Sequence, residues 1–323
     1  MKINFLKLAA ITGLLFSMLS MTALTQDTAK GKPVHREVAV TFDDLLWQGP
    51  PLSTKEIRVM TEKLLRSLKA NGVPAFADVN ERKLYEDGKL DPERVAILKM
   101  WLDAGFELGN HTYSHMALNR DHTLAAVEQD LIRGETVTKQ LLAERGMKLR
   151  YFRHPVLLTG PDVETKKAFE KFLKERGYTI APVTIDNQDF LFAQVYALAK
   201  HRGDEELMKR VADAYIPYME TMFDFFEKLS VDVLGYEVKQ TLLLHANELN
   251  ADHFDDLARM MRRRGYTFIS LEQALKDKAY SLEDAQSSKG ISWLHRWALA
   301  KGMPMREEPR EPQWVAALFN NRQ

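Results

Sequence analysis

Short apolar segments alternate with longer amphipathic segments along most of this chain, and this alternation restricts its fold more than any other feature. The apolar runs are rich in β-branched or aromatic residues and lie at 37–42, 73–79, 106–109, 150–152, 178–185, 241–244 and 266–269. Helical patterns separate them near 55–70, 91–104, 122–145, 163–176 and 251–264. Runs of this length and composition are typical of buried strands.

Four of the helical patterns end in a glycine that is followed by the next apolar run, at Gly72, Gly105, Gly177 and Gly265. Glycine is common just after the last turn of a helix because it accepts the left-handed conformation there. Each glycine therefore marks a helix end and a turn into the next strand. Regular strand–helix alternation predicts a parallel sheet or a (β/α) barrel.

The stretch 191–230 breaks this rhythm, since it is far longer than one crossover needs. Apolar residues recur at helical spacing within it, from Val211 to Leu229. We expect a helical insertion that packs against the barrel, with a dimer or partner surface as the alternative. In the tail, Trp293, Trp297 and Trp314 are expected to anchor the chain to the core, with sugar stacking as the alternative.

The N-terminus differs from the rest of the chain. Lys2 and Lys7 precede a nearly uncharged apolar run, and small residues follow near Ala23 and Thr25. This pattern indicates a secretory signal peptide, so we expect an exported protein, periplasmic or extracellular, without stable membrane insertion after cleavage. An uncleaved membrane anchor is the alternative. The expected organisation is a signal peptide at 1–25, a linker at 26–33, the barrel at 34–280 with its insertion at 191–238, and a C-terminal extension packed on the barrel at 281–323.

The composition narrows the partners. Lys+Arg and Asp+Glu are both 45, so the formal net charge is zero. This balance gives no reason to expect a nucleic-acid partner, which normally requires a basic face. The chain has no cysteine, so an exported form must hold together without disulfides. The oligomeric state stays open.

Two polar clusters follow predicted strands, at the strand ends where barrels place their sites. Asp43 and Asp44 come directly after the first run, and His111 and His115 follow the third. Histidines four residues apart face the same way if their segment begins a helical turn. With Asp44 they offer two nitrogens and one carboxylate, a set that suits zinc with open positions for water and substrate.

Three further clusters are weaker when each is taken alone. Arg153 follows the fourth run and could pair bidentately with a carboxylate, although a surface arginine is the simpler explanation. Asp186, Asp189 and Phe190 follow the fifth run. His245 closes the sixth run and should project at the mouth of the sheet, although a histidine there is more often a core residue.

Taken in order, these clusters resemble the motif series of the NodB-homology polysaccharide deacetylases, carbohydrate esterase family 4. The series is Asp-Asp, His-x-x-x-His, Arg-x-Pro, Asp-x-x-Asp-aromatic and Leu-x-His, and the resemblance extends from about Val38 to Ala274. It implies an α/β fold, a distorted (β/α) barrel of about seven parallel strands. It also implies a divalent metal, zinc before cobalt or nickel, and an acetylated glycan as substrate.

The resemblance assigns a role to each matched residue. It makes Asp43 the general base, Asp44, His111 and His115 the metal ligands, Arg153 the residue that positions the base, His245 the catalytic acid and Asp189 the residue that tunes it. Leu243, Pro155 and Phe190 would line the substrate pocket. The chain departs from the family pattern at Phe190, where tryptophan is usual, and in the third motif, which reads Arg-His-Pro-Val-Leu-Leu.

The function implied is hydrolysis of acetyl groups on N- or O-acetylated polysaccharide of the peptidoglycan, chitin or xylan type. Such an enzyme acts on carbon–nitrogen bonds other than peptide bonds. Two alternatives stay open: the same site could act on a small non-peptide amide or oligosaccharide, or the chain could be a catalytically silent carbohydrate-binding relative.

Overall fold

The computed structural model describes residues 35–321. The predicted signal peptide and linker, 1–25 and 26–33, lie outside the described residues. Within the described range, the strands are β1 (Arg36–Leu45), β2 (Phe76–Val79), β3 (Tyr85–Glu86), β4 (Lys89–Leu90), β5 (Glu107–Asn110), β6 (Tyr151–Phe152), β7 (Thr179–Ile180), β8 (Gln240–His245) and β9 (Tyr266–Phe268). The helices are α1 (Thr54–Ala70), α2 (Pro92–Asp103), α3 (Leu124–Arg133), α4 (Thr136–Ala143), α5 (Val163–Glu175), α6 (Asp189–Arg202), α7 (Glu205–Leu234), α8 (Glu248–Arg263), α9 (Leu271–Ala274), α10 (Trp293–Ala300) and α11 (Gln313–Asn320).

Seven of these strands form one parallel sheet in the order β7-β6-β5-β2-β1-β8, with β9 paired to the start of β1. The chain after β7 then crosses to the opposite edge, where Ile185 makes a parallel bridge to Leu242 of β8. The segment that follows one edge strand of the sheet thus pairs with the other edge strand. The prediction of a distorted (β/α) barrel of about seven parallel strands is therefore confirmed. The strands β3 and β4 form a separate antiparallel hairpin.

Helix ends follow the local sequence signals. Ser53 caps α1 in a capping box with Glu56, and Asp91 caps α2. The four glycines predicted to end helices all have positive φ, between 60° at Gly72 and 88° at Gly105. Because such backbone angles strain residues with a Cβ, glycine directs the chain from each helix into the next strand.

The helix predicted at 122–145 is two helices, α3 and α4, which meet at Gly134. A Cβ at Gly134 would lie 2.6 Å from the backbone nitrogen of Tyr113. The helix junction therefore presses directly on the loop that carries His111 and His115. The break has a packing reason that helical periodicity could not reveal.

The stretch predicted as an insertion contains α6 and α7, which pack against each other and against α8. Val211, Tyr215 and Met222 are fully buried along α7. In the C-terminal part, α10 packs on α7 and α11 packs on α6, with Trp293 and Trp297 buried. None of the helices within residues 35–321 combines the length and the hydropathy of a membrane-crossing segment.

Candidate active site and metal centre

A cavity of about 350 Å³ opens at the carboxyl ends of the barrel strands. Its lining comprises Asp43, Asp44, Gln48, His111, His115, Val156, Leu157, Asp186, Asn187, Gln188, Phe190, Leu243 and His245. Residues from four of the five sequence clusters thus share one cavity. The remaining cluster, that of Arg153, contacts the cavity indirectly, because Arg153 donates a hydrogen bond to Asp43.

Asp44, His111 and His115 form a compact group whose potential ligand atoms all lie within 4.8 Å of one another. The Oδ1 atom of Asp44 is 3.9 Å from Nε2 of His111 and 3.6 Å from Nε2 of His115. Ligand atoms about 2.0–2.2 Å from a tetrahedral zinc ion are separated by slightly less than this. The spacing therefore fits one divalent ion after small side-chain adjustments.

The surroundings of His111 and Asp44 also fit a metal. Nδ1 of His111 lies 2.9 Å from the carbonyl oxygen of Arg153, which directs Nε2 toward Asp44. Burial lowers the pKa of His111 well below its usual value, so the ring is neutral, as a ligand must be. Oδ1 of Asp44 is buried without a hydrogen-bond partner among the described residues. A cation between these side chains would satisfy that oxygen.

The histidines converge for a different reason from the one predicted. The segment 111–115 is not a helical turn. Instead, Thr112 and His115 have positive φ of 59° and 63°, and Asp44 has a φ of 68°. The helical turn that would have aligned an i, i+4 pair is therefore absent, and left-handed residues shape the loop that brings the two rings together. Such strained conformations in non-glycine residues tend to cluster at functional sites.

Lys83 contacts the metal centre and was not predicted. Its Nζ donates to the carbonyl oxygens of Asp44 and Trp47, at 2.7 and 2.8 Å, and lies 3.7 Å from Oδ1 of Asp44. Burial alone would raise the pKa of Asp44, but the surrounding positive charge, chiefly that of Lys83, lowers it. Asp44 is therefore ionised. Lys83 lies 39 residues away in sequence, and no local pattern marks it.

Arg153 holds Asp43, but through one hydrogen bond and not the bidentate pair considered from sequence. Its Nη1 donates to Oδ1 of Asp43 at 3.0 Å, Nη2 donates to Oγ1 of Thr41 at 3.0 Å, and Nε donates to the carbonyl oxygen of Ala181. Its three donor groups therefore engage three different residues, which excludes a fork on one carboxylate. Burial raises the pKa of Asp43, and the charge of Arg153 opposes that rise.

A second carboxylate, Asp78, was also missed. It is fully buried, its Oδ2 lies 4.0 Å from Nε of Arg153, and neither oxygen has a hydrogen-bond partner among the described residues. Burial raises its pKa well above the usual value. Asp78 lies inside the apolar run 73–79, where a single polar residue gave no signal of a site.

His245 and Asp189 form a tightly bonded pair on the other side of the cavity. Nδ1 of His245 is 2.7 Å from Oδ1 of Asp189, and the backbone N–H of His245 donates to Oδ2 at 2.9 Å. Asn250 donates to the same Oδ2 at 2.8 Å. Burial would lower the pKa of His245, but the charge and hydrogen bond of Asp189 outweigh it and raise the pKa to about 9.

Register places this pair beside Asp43. Asp43 on β1 is the direct neighbour of His245 on β8 in the parallel ladder. A protonated imidazole and a buried carboxylate therefore face one cavity together with the three candidate ligands. Such a constellation can accept a proton at one wall and donate one at another.

The predicted pocket residues differ in position. Leu243 and Phe190 line the cavity, and the ring of Phe190 packs edge-on against His245 and Phe319, at centroid distances of 6.1 and 5.8 Å. Pro155 is buried and does not line this cavity, and its contact with substrate stays a prediction. The backbone turns sharply after it, which puts Val156 and Leu157 on the cavity wall instead.

One family model matches part of the chain. Residues 30–181 match the family model described as polysaccharide deacetylase. No curated protein matches the chain.

Several solved structures are similar at low identity. The Streptococcus mutans CE4 esterase shares 19% identity with a TM-score of 0.49, over 74% of this chain and 87% of that one. Peptidoglycan deacetylase PdaC from Bacillus subtilis shares 19% with a TM-score of 0.46, over 76% and 94%. BA3943 from Bacillus anthracis, a CE4 family pseudoenzyme, shares 15% with a TM-score of 0.45, over 81% and 69%.

Proposed function

Because the chain carries a polysaccharide deacetylase domain of the NodB-homology family, we propose that it is a metal-dependent hydrolase that removes acetyl groups from N- or O-acetylated polysaccharide. One observation carries the proposal. A buried carboxylate, an imidazole with a raised pKa and a three-residue ligand set all face the same cavity of about 350 Å³.

Asp44, His111 and His115 would hold the metal, which we propose is zinc, with cobalt or nickel as alternatives. When bound there, a divalent ion polarises the acyl carbonyl and lowers the pKa of water. The chain's contribution is that burial keeps His111 neutral and the charge of Lys83 keeps Asp44 ionised.

Asp43 would be the general base. Arg153 fixes its Oδ1, while Oδ2 lies 3.7 Å from Nε2 of His111, on the side of the proposed metal. One carboxylate oxygen is thus anchored, and the other faces the position of an attacking water. Burial raises the pKa of Asp43, which makes it a better proton acceptor than an exposed aspartate.

His245 would be the acid that protonates the leaving amine or alcohol. With a pKa raised to about 9, it carries its proton at neutral pH. Asp189 occupies Nδ1, which leaves Nε2 as the nitrogen that donates. Because Asp189 is itself held by Asn250 and the backbone, the ring orientation is set before substrate binds.

For the substrate, we propose an acetylated glycan of the peptidoglycan, chitin or xylan type. The alternative of a small non-peptide amide or short oligosaccharide is favoured by one observation: α11, through Phe319, packs against Phe190 at the cavity. That contact places part of the C-terminal extension beside the mouth, where a long polymer would have to pass. We also propose that the protein is exported, based on the sequence of residues 1–25.

Acetate release tests the proposal directly. The purified protein, loaded with zinc, is incubated with acetylated chito-oligosaccharides, peptidoglycan, acetylxylan and a small aryl acetamide, each with and without a chelator. We expect release from at least one glycan, lost with chelator and restored by added zinc. Release from the small amide alone would favour the alternative substrate class. No chelator-sensitive release from any of them would refute the enzyme and leave a silent binding relative.

A further inference from the structure

The cavity wall formed by Val156 and Leu157 has an unusual backbone. Both residues have positive φ, 47° and 54°. Val156 is 55% exposed at the cavity, whereas Leu157 is buried. A positive φ is rare for a β-branched residue such as valine and requires surroundings that enforce it. The segment therefore needs an external support.

That support comes from the C-terminal extension through Arg296 on α10. Its Nη2 donates to the carbonyl oxygen of Leu157 at 2.7 Å, and its Nη1 donates to Oγ1 of Thr159 and to the carbonyl oxygen of Ala285, both at 3.0 Å. Arg296 is fully buried. The two terminal nitrogens are engaged in this way, while the buried Nε has no hydrogen-bond partner among the described residues. These three bonds therefore fix the guanidinium against the segment.

A second contact presses on the same turn. Gly290 lies so close to Val156 that an added Cβ would sit 1.9 Å from the Val156 carbonyl oxygen. The chain then continues to Trp293. Its backbone N–H donates to the carbonyl oxygen of Val183 at 2.7 Å, and its ring centroid lies 5.2 Å from the Arg296 guanidinium. The extension is thus fixed to the barrel on one side and to the turn on the other.

We propose that Arg296 is a positioning residue, which holds Val156 and Leu157 in the left-handed conformations that place them on the wall of the active-site cavity. The inference rests on the proposed function for its catalytic consequence. It makes the C-terminal extension a part of the site, although the extension contributes no group that reacts. Gly290 supports the same turn, because only a residue without a Cβ allows the chain to lie this close to Val156.

Two readouts separate positioning from simple stabilisation. Hydrogen exchange of the amides in 155–160 reports the order of the wall, and kcat against KM for acetate release reports its effect on the reaction. The variants are Arg296→Gln, which removes the guanidinium and its charge, and Arg296→Lys, which keeps the charge with fewer hydrogen-bond donors. Trp297→Phe is the matched control, since Trp297 is buried on the same helix and packs on Tyr280.

We expect Arg296→Gln to exchange about tenfold faster at 155–160 because local order is lost. Its kcat should fall by about tenfold or more with KM changing less, since displacing a wall by about 1 Å costs up to about 100-fold in rate. Arg296→Lys should lie between this variant and the wild type, and Trp297→Phe should show neither effect. Gly290→Ala, which disturbs Val156 from the other side, should reproduce the fall in kcat even if Arg296→Gln does not fold.

Wild-type exchange in a folded Arg296→Gln protein would overturn the proposal, as would faster exchange with unchanged kcat. A full kcat in Gly290→Ala would overturn it as well. If the wild type releases no acetate from any substrate, the proposed function fails. The exchange measurement would still decide whether Arg296 holds the wall.

Discussion

Replacing Asp189 with asparagine should lower the pKa of His245. Asp189 is fully buried and contacts both the ring nitrogen and the backbone nitrogen of His245. The rise from 6.5 to about 9 corresponds to about 3 kcal/mol in favour of the protonated ring. Without the carboxylate, burial alone remains, and burial disfavours the charged form. The pKa should therefore fall by about two units or more.

The direct assay is an NMR titration of the histidine rings in the metal-free protein, with the His245 signal assigned by its absence in His245→Gln. Because the folded-state pKa is raised, the pair stabilises the fold below pH 6.5, and this contribution is lost as the pH rises through 9. The loss of folding stability in Asp189→Asn relative to the wild type should therefore be largest at low pH. Asp255→Asn, which removes a carboxylate that hydrogen-bonds Ser67 and Asn71, is the control. An unchanged His245 pKa in Asp189→Asn would refute the reasoning.

Three further predictions follow from the site. His111→Ala should weaken zinc binding by more than about 100-fold, because losing a ligand costs more than losing a hydrogen bond that supports one. His35 is exposed, so His35→Ala should leave zinc binding unchanged. Equal zinc affinities of the His111→Ala and wild-type proteins, measured by calorimetry, would contradict the ligand assignment. Arg153→Met leaves Asp43 and Asp78 buried without their cation, so it should lower the free energy of unfolding by about 3–5 kcal/mol at pH 7. Because burial raises the pKa of both carboxyls, protonation should reduce this cost at pH 5, and an undiminished cost in urea unfolding would refute the charge argument. Gly109→Ala puts a Cβ 2.4 Å from Oδ1 of Asp78 and from the Phe76 ring. The substitution should lower the free energy of unfolding by about 1–3 kcal/mol, measured as a lower Tm. An unchanged Tm would show that the neighbouring side chains move aside at no cost.

The strands were the most predictable part of the molecule. Buried parallel strands produce continuous apolar runs, and the seven runs coincide with the seven strands of the sheet. Their limits were less predictable. The run 178–185 contains the two-residue strand β7 and then an irregular segment, because the chain leaves one edge of the sheet after Ile180 and bridges to β8 at the other edge at Ile185.

Site residues could be identified where a motif is local. Asp43 and Asp44 are adjacent in sequence and lie at the end of β1, and His111 and His115 lie in the loop that follows β5. Contacts between distant segments left no such trace: Lys83 reaches Asp44 across 39 residues, and Arg296 reaches Leu157 across 139.

Backbone conformation was equally hidden. Nothing in the sequence Pro-Val-Leu announces two consecutive left-handed residues, so Pro155 was predicted to line the pocket where Val156 and Leu157 do. The physical reason is that the conformation is imposed by Arg296 and Gly290, far away in the chain, and not by local preference.

We propose that Asp43 acts as the general base of a metal-dependent deacetylase. The most direct test of this role is acetate release by zinc-loaded Asp43→Asn, measured beside the wild type at equal zinc content. Because Asp44, His111 and His115 stay intact, the variant should bind zinc while losing about 100-fold or more of its activity, within the range that general base catalysis supplies. An Asp43→Asn protein that binds zinc and releases acetate at the wild-type rate would show that Asp43 is not the base.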